Sequence, residues 1–211
     1  MEETQRILDT YGNHPSFVMM AYGNEPSGRY VGYLENWVDH FKRYDSRFVY
    51  TGASTGRSWA IIENSDFIVR SPPRGLEWKD RQPESLFDYR HKTENQQRPY
   101  VTFEMGQWCA FPNFNEIDKY TGALKAKNFE LFREDLADHH MADLADEFLM
   151  ASGKLQASCY KQEIEATLRT PNLAGFQLLS LNDFSGQGSA LVGVLDAFWD
   201  EKGYLSASEF K

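Results

Sequence analysis

Two stretches decide the fold: Phe17-Val18-Met19-Met20-Ala21-Tyr22-Gly23-Asn24-Glu25-Pro26 and Tyr100-Val101-Thr102-Phe103-Glu104-Met105-Gly106. Each is a short apolar run that ends in a glutamate and a turn residue. Uninterrupted apolar runs of this length, bounded by turn signals, read as parallel strands buried on both faces. A carboxylate at the C-terminal end of such a strand sits where open α/β sheets and barrels keep their chemistry. Paired carboxylates on different strands are also the basic equipment of retaining glycoside cleavage.

Working outward, the runs alternate with helical patterns. Ile7, Leu8 and Tyr11 close a first helix that Gly12 terminates, and Asn13-His14-Pro15-Ser16 turns the chain into the first strand. Val31, Leu34, Val38 and Phe41 recur at helical spacing before a second strand, Phe48-Val49-Tyr50-Thr51. A third strand is expected over Asp66-Phe67-Ile68-Val69, leading into Ser71-Pro72-Pro73-Arg74-Gly75. The fourth ends at Glu104. The fifth runs from Ala174 to Leu181 and ends at Asn182-Asp183-Phe184. Strands and helices in this order predict an α/β fold with a parallel sheet.

A long helical insertion, Cys109 to Pro171, interrupts the alternation. Phe129, Phe132, Leu136, His140, Leu144 and Phe148 mark one expected helix face, and Ala157, Tyr160, Ile164 and Leu168 mark another. Ser185-Gly186-Gln187-Gly188-Ser189 reads as a flexible loop after the last strand.

Composition narrows the function. The 211 residues, 41% of them hydrophobic, can bury a sizeable core. Acidic residues outnumber basic ones 31 to 22, with no Lys/Arg cluster interleaved with aromatics, so nucleic acid is set aside as a partner. No stretch is long and apolar enough to cross a bilayer, and Met1-Glu2-Glu3-Thr4 does not read as a signal peptide. Cys109 and Cys159 lack metal or redox spacing and read as two buried thiols. His139, His140 and Asp143 have the spacing of metal ligands, but His140 falls on the apolar stripe and the others on a solvated acidic face, so no metal is expected. Gly52-Ala53-Ser54-Thr55-Gly56-Arg57-Ser58 lacks the lysine of a phosphate loop.

Asn13-His14-Pro15-Ser16 followed by a strand and Gly23-Asn24-Glu25 resembles the fourth strand of glycoside hydrolase family 2. Val101-Thr102-Phe103-Glu104-Met105-Gly106 is similar to that family's seventh strand. The two glutamates are 79 residues apart, with room for strands five and six between them. The resemblance implies a single partial TIM (β/α)8 barrel over residues 1–211, spanning strands four to eight, with 109–171 as the insertion between strands seven and eight. It implies a retaining β-glycoside hydrolase of the β-galactosidase, β-glucuronidase or β-mannosidase type, with a carbohydrate substrate and no cofactor. Glu25 is then acid/base and Glu104 nucleophile. Asn24 lies where it can meet a sugar 2-hydroxyl or only cap the turn. Trp108 is either a sugar platform or core, and Asn182 and Asp183 end strand eight among substrate-binding positions. Arg70-Ser71-Pro72-Pro73 and Leu181-Asn182-Asp183-Phe184 depart from the aromatic or histidine residues often found at those strand ends, which leaves the sugar open. The alternative is a carbohydrate-binding or scaffolding module without turnover. With strands one to three absent, the isolated chain is expected to be inactive and to self-associate through open barrel edges.

Overall fold

A computed structural model describes residues 1–56, 58–77, 82, 84–184 and 191–210. The Ser185–Ser189 loop and Arg57 lie outside the described residues. The chain divides into two compact units, one formed by residues 1–74, 86–103 and 166–177, the other by 75–85, 104–165 and 178–211. Among the described residues, no helix is long and apolar enough to cross a membrane.

The first unit opens with α1 (Glu2–Tyr11), whose buried Thr4 and Leu8 are one turn apart. Gly12 follows in ordinary right-handed conformation and donates its N–H to the Leu8 carbonyl. The helix α2 (Tyr30–Tyr44) buries Leu34, Trp37, Val38 and Phe41, a stripe at three- and four-residue steps. Val31, expected on that stripe, is exposed, and Trp37 takes the central place. Its indole nitrogen donates to Thr4 Oγ1 at 3.1 Å, docking α1 onto α2. Lys42 and Arg43 fall in the last turn of α2, where cations suit the helix dipole.

Short strands carry this unit, the ends of the last two passing into the second: β1 (Met19–Ala21), β2 (Val49–Thr51), β3 (Ser54–Thr55), β4 (Ile68–Arg70), β5 (Tyr100–Met105) and β6 (Leu173–Leu178), with parallel pairing of β1 with β2, β3 with β4 and β4 with β5. β1 pairs with β2, and α2 is the crossover that parallel pairing requires. The second run of pairing is β3-β4-β5-β6. The two runs are joined, because Ser54 N–H donates to Gly23 O and Glu25 N–H donates to Ser54 O, at 2.9 and 3.0 Å. Strand order therefore follows chain order. The expected third and fifth strands appear at Ile68–Arg70 and Leu173–Leu178, shifted or shortened by a few residues. An α/β fold with parallel strands is what the structure has.

Burial on both faces holds for β5, in which every residue except the half-buried Glu104 is buried. It does not hold for β1. Val18 is 54% exposed and Met19 43% exposed, because among the described residues β1 is the last strand of its sheet and has a partner on one edge only. A short helix, α3 (Arg90–Thr93), precedes β5.

In the second unit the insertion supplies a 3₁₀ turn (Phe114–Lys119), then α4 (Lys127–Asp138) and most of α5 (Ala145–Arg169). The apolar face expected to run from Phe129 to Phe148 is broken between them. His140 is left-handed, with φ 57°, and Met141 N–H donates to Leu136 O at 2.9 Å while His140 N–H donates to Ala137 O. This six-to-one closure ends α4 and places both histidines in solvent. Phe129 and Leu136 are buried, Phe132 is exposed, and Phe129 packs with Ala126 and Leu191. A last short helix, α6 (Ala207–Phe210), follows.

Candidate active site

Each candidate glutamate stands at the end of its strand in an unusual backbone conformation. Glu25 has φ 41° and Glu104 φ 56°. Among the described residues the other non-glycine positions with positive φ are His140, Asn172 and Trp199. For a side chain with a β-carbon this region costs about 1–2 kcal/mol. Strained residues of this kind persist where the surroundings dictate them, and they concentrate at functional sites. Glu25 lies in the first unit and Glu104 in the second.

Around Glu25, the strand end is fixed by the pairing of Asn24 with Ser54 and by the Glu25 N–H bond to Ser54 O. Pro26 follows, and its carbonyl accepts the Trp59 indole N–H at 2.8 Å. The Trp59 carbonyl in turn accepts from the Arg70 guanidinium at 3.2 Å. Gly56 has no side chain for a reason: a β-carbon there would stand 3.2 Å from the Trp59 ring and 3.7 Å from Oε1 of Glu25. The bare glycine keeps open the space beside indole and carboxylate. Asn24 and Glu25 are both exposed. An accessible carboxylate next to an aromatic ring can exchange a proton with a ligand whose apolar face packs on that ring. Trp59 was not singled out from the sequence, because nothing local ties it to Glu25 until the loop after β3 folds back on Pro26.

Around Glu104, the controlling residue is Glu163 on α5, which is buried. Its carboxylate accepts the Gly106 N–H at 3.1 Å, the Trp108 indole N–H at 2.8 Å and the Gly75 N–H. Three donors on one carboxylate pin the turn that follows Glu104. Gly106 (φ 77°) must be glycine, since a β-carbon would meet the Tyr160 ring at 2.0 Å. Trp108 is half-buried with its nitrogen held by Glu163, and Gln156 Nε2 donates to its carbonyl at 2.6 Å. The sequence did carry a signal for Glu163: it shares a helix face with the buried Tyr160, Ala166 and Thr167, an unexpected place for a charge.

Asn182 and Asp183 belong to the second unit and do different work. Asn182 Nδ2 donates to the Asp183 carbonyl at 2.9 Å. Asp183 is 3% exposed, lies 2.6 Å from Lys202 Nζ, and accepts the Gly193 N–H at 2.8 Å. Lys202 also donates to Gly193 O. Burial pushes the Asp183 carboxyl upward against the pull of Lys202 and the Gly193 N–H. The pair ties the end of the last strand to the C-terminal segment.

A further carboxyl went unnoticed in the sequence. Glu116, in the 3₁₀ turn, is 1% exposed, and its Oε2 is buried with no hydrogen-bond partner. Burial, with the charge of Asp196 next, raises its pKa to about 7, while Lys202 and Lys119 pull the other way. Asp196 itself is held below the usual range. Burial alone would raise it, but Lys119 and the N–H groups of Asp200 and Phe198 outweigh that effect. An unfolded glutamate titrates well below 7, so the folded chain binds the extra proton over that interval and loses stability as pH rises through it. The loss is up to about 3 kcal/mol. Glu116→Gln is expected to be more stable than the parent at about pH 8, with the advantage gone near pH 4. Urea midpoints across the interval check this, and a difference independent of pH would refute it.

No protein-family model matches the chain, and no curated protein matches it either.

Proposed function

We propose that the chain is the strand-four-to-eight portion of a (β/α)8 barrel that, when complete, hydrolyses β-glycosides with retention. In this mechanism Glu104 attacks the anomeric carbon and Glu25 first protonates the leaving oxygen, then deprotonates the incoming water. The observation that carries this reading is the shared geometry of the two glutamates: both end parallel strands, and both hold a backbone conformation that their side chains disfavour. Asn24 beside Glu25 suits a bond to the 2-hydroxyl, Trp59 offers a ring face, and Glu163 holds the turn behind Glu104. The substrate is a carbohydrate, and two carboxyl groups suffice for the chemistry without a cofactor.

The direct test is covalent trapping. A 2-deoxy-2-fluoro β-glycoside with an acidic leaving group slows breakdown of the glycosyl-enzyme, so peptide mapping of the natural gene product should find the sugar on Glu104. A label on another residue, or full turnover with no label, would defeat the assignment.

The isolated chain of 211 residues is expected to show no turnover and to self-associate. Val18, Met19 and Tyr22 are exposed in and beside β1, which among the described residues has a strand partner on one edge only, and such a surface pairs with another strand. Light scattering and a panel of nitrophenyl β-glycosides check both halves. A clean monomer with robust hydrolysis would show that the strands present are sufficient.

A further inference from the structure

Glu104 holds a backbone conformation that its side chain disfavours, and a conformation of that kind persists only where its surroundings over-determine it. The chain immediately after Glu104 shows what does so. The peptide group between Met105 and Gly106 is held at both poles: the Met105 carbonyl accepts the Leu179 N–H at 2.8 Å, and the Gly106 N–H donates to Oε2 of Glu163 at 3.1 Å. The Trp108 indole N–H donates to the same oxygen at 2.8 Å. Oε1 of Glu163 accepts the Gly75 N–H, so the segment that follows β4 is tied to the same carboxylate as the turn that follows β5. All of these groups belong to the second unit.

The helix α5 closes this turn at two points. Tyr160, three residues before Glu163, lies under Gly106 so closely that a β-carbon there would stand 2.0 Å from its ring, and its hydroxyl donates to Val192 O at 2.6 Å. The floor of the turn is therefore fixed at its far end. The chain leaves this shell just past Trp108, since Cys109, expected as a buried thiol, is exposed, while Cys159 on α5 is buried. Glu163 itself is 2% exposed. Burying a carboxylate is costly, and packing alone does not call for one. What the carboxylate adds is acceptor capacity: its two oxygens serve three N–H donors, whereas a glutamine amide has one acceptor oxygen and turns its NH2 toward the remaining donors.

We propose that Glu163 is the positioning residue for Glu104, holding it in its left-handed conformation with the carboxylate placed for attack, a role for Glu104 that rests on the glycosidase reading above. Glu163 is buried, so it acts through the turn and not on the substrate. Displacement of a reacting group by about 1 Å can cost about 10²-fold in rate, which is the scale on which such a hold matters.

Glu163→Gln and Glu163→Leu, made in the natural gene product, test this by steady-state kinetics on nitrophenyl β-glycosides and by crystal structures of the variants. At equal folded fraction by circular dichroism, kcat is expected to fall at least about tenfold in Glu163→Gln and at least about a hundredfold in Glu163→Leu, with KM within about threefold of the parent. In the crystals Glu104 should leave the left-handed region, or its carboxylate should move by about 1 Å or more. A merely structural Glu163 would lower the urea midpoint and leave both kcat per folded molecule and the geometry of Glu104 as they were, which would overturn the proposal. A fall in kcat with Glu104 unmoved would overturn it as well, and so would a displaced Glu104 with kcat unchanged. If Glu163→Leu does not fold, Glu163→Gln carries both measurements. A parent with neither turnover nor trapped sugar would defeat the glycosidase reading; a displaced Glu104 in the variants would then still support the hold by Glu163, and an unmoved one would overturn it.

Discussion

Glu104→Ala in the natural gene product is expected to lower hydrolysis of every β-glycoside by about 10⁴-fold or more, because no covalent intermediate can form. Glu25→Ala should behave differently. A general acid contributes about 10²–10⁴-fold, and most of that contribution disappears when the leaving group is already a weak base. Nitrophenyl substrates should therefore be cleaved to the glycosyl-enzyme by Glu25→Ala at near parental rates, while alkyl glycosides are not. Azide, which needs no deprotonation, should accelerate turnover of that variant and yield a β-glycosyl azide by two displacements, whereas any azide product of Glu104→Ala should be the α-anomer, formed by a single inverting displacement. The reverse pattern would exchange the two roles. Full activity in both variants would remove the catalytic assignment and favour a binding or scaffolding module.

The second large effect concerns stability. Lys202→Met should destabilise the fold by about 3–5 kcal/mol, since it leaves the Asp183 carboxyl buried without its counter-charge and takes a donor from Gly193 O. The energy reflects an orphaned charge rather than the worth of the pair. Asp183→Asn combined with Lys202→Met removes both charges and keeps an oxygen for the Gly193 N–H, so the double variant should recover more than half of the loss. Chemical denaturation of the set of variants decides this. Equal destabilisation in the single and double variants would show that the pair contributes mainly through packing.

The parallel strands and the helix α2 were legible in the sequence because their apolar spacing reports burial directly. The strand ends at Glu25 and Glu104 were legible for the same reason, since a carboxylate closing an apolar run is a local event. Exposure of β1 was not, because whether a strand lies at an edge depends on which neighbours it finds and not on its own residues. The break at His140 was hidden by a coincidence of spacing: Leu136, His140 and Leu144 lie four residues apart, so the apolar rhythm passes through a residue that ends one helix. The site itself was half legible. Glu163, Glu116 and Trp59 acquire their roles from partners far away in the chain, at separations that no motif records. Asp183 was noticed for its position after the last strand, while its buried lysine, 19 residues on, carried no pattern to announce it.

The left-handed backbone at Glu25 and Glu104 has a consequence for anyone improving this protein by selection. Glycine relaxes both positions, so a screen that rewards only resistance to heat or protease would accept glycine there and enrich it. On the mechanism proposed above, its winners would be better folded and inactive. Consensus or stability-guided redesign of this chain should therefore hold residues 25 and 104 fixed. The same tension offers a diagnostic, since enrichment of glycine at these two positions under a stability screen, and its depletion under a screen for activity, would separate what the fold prefers from what the chemistry demands.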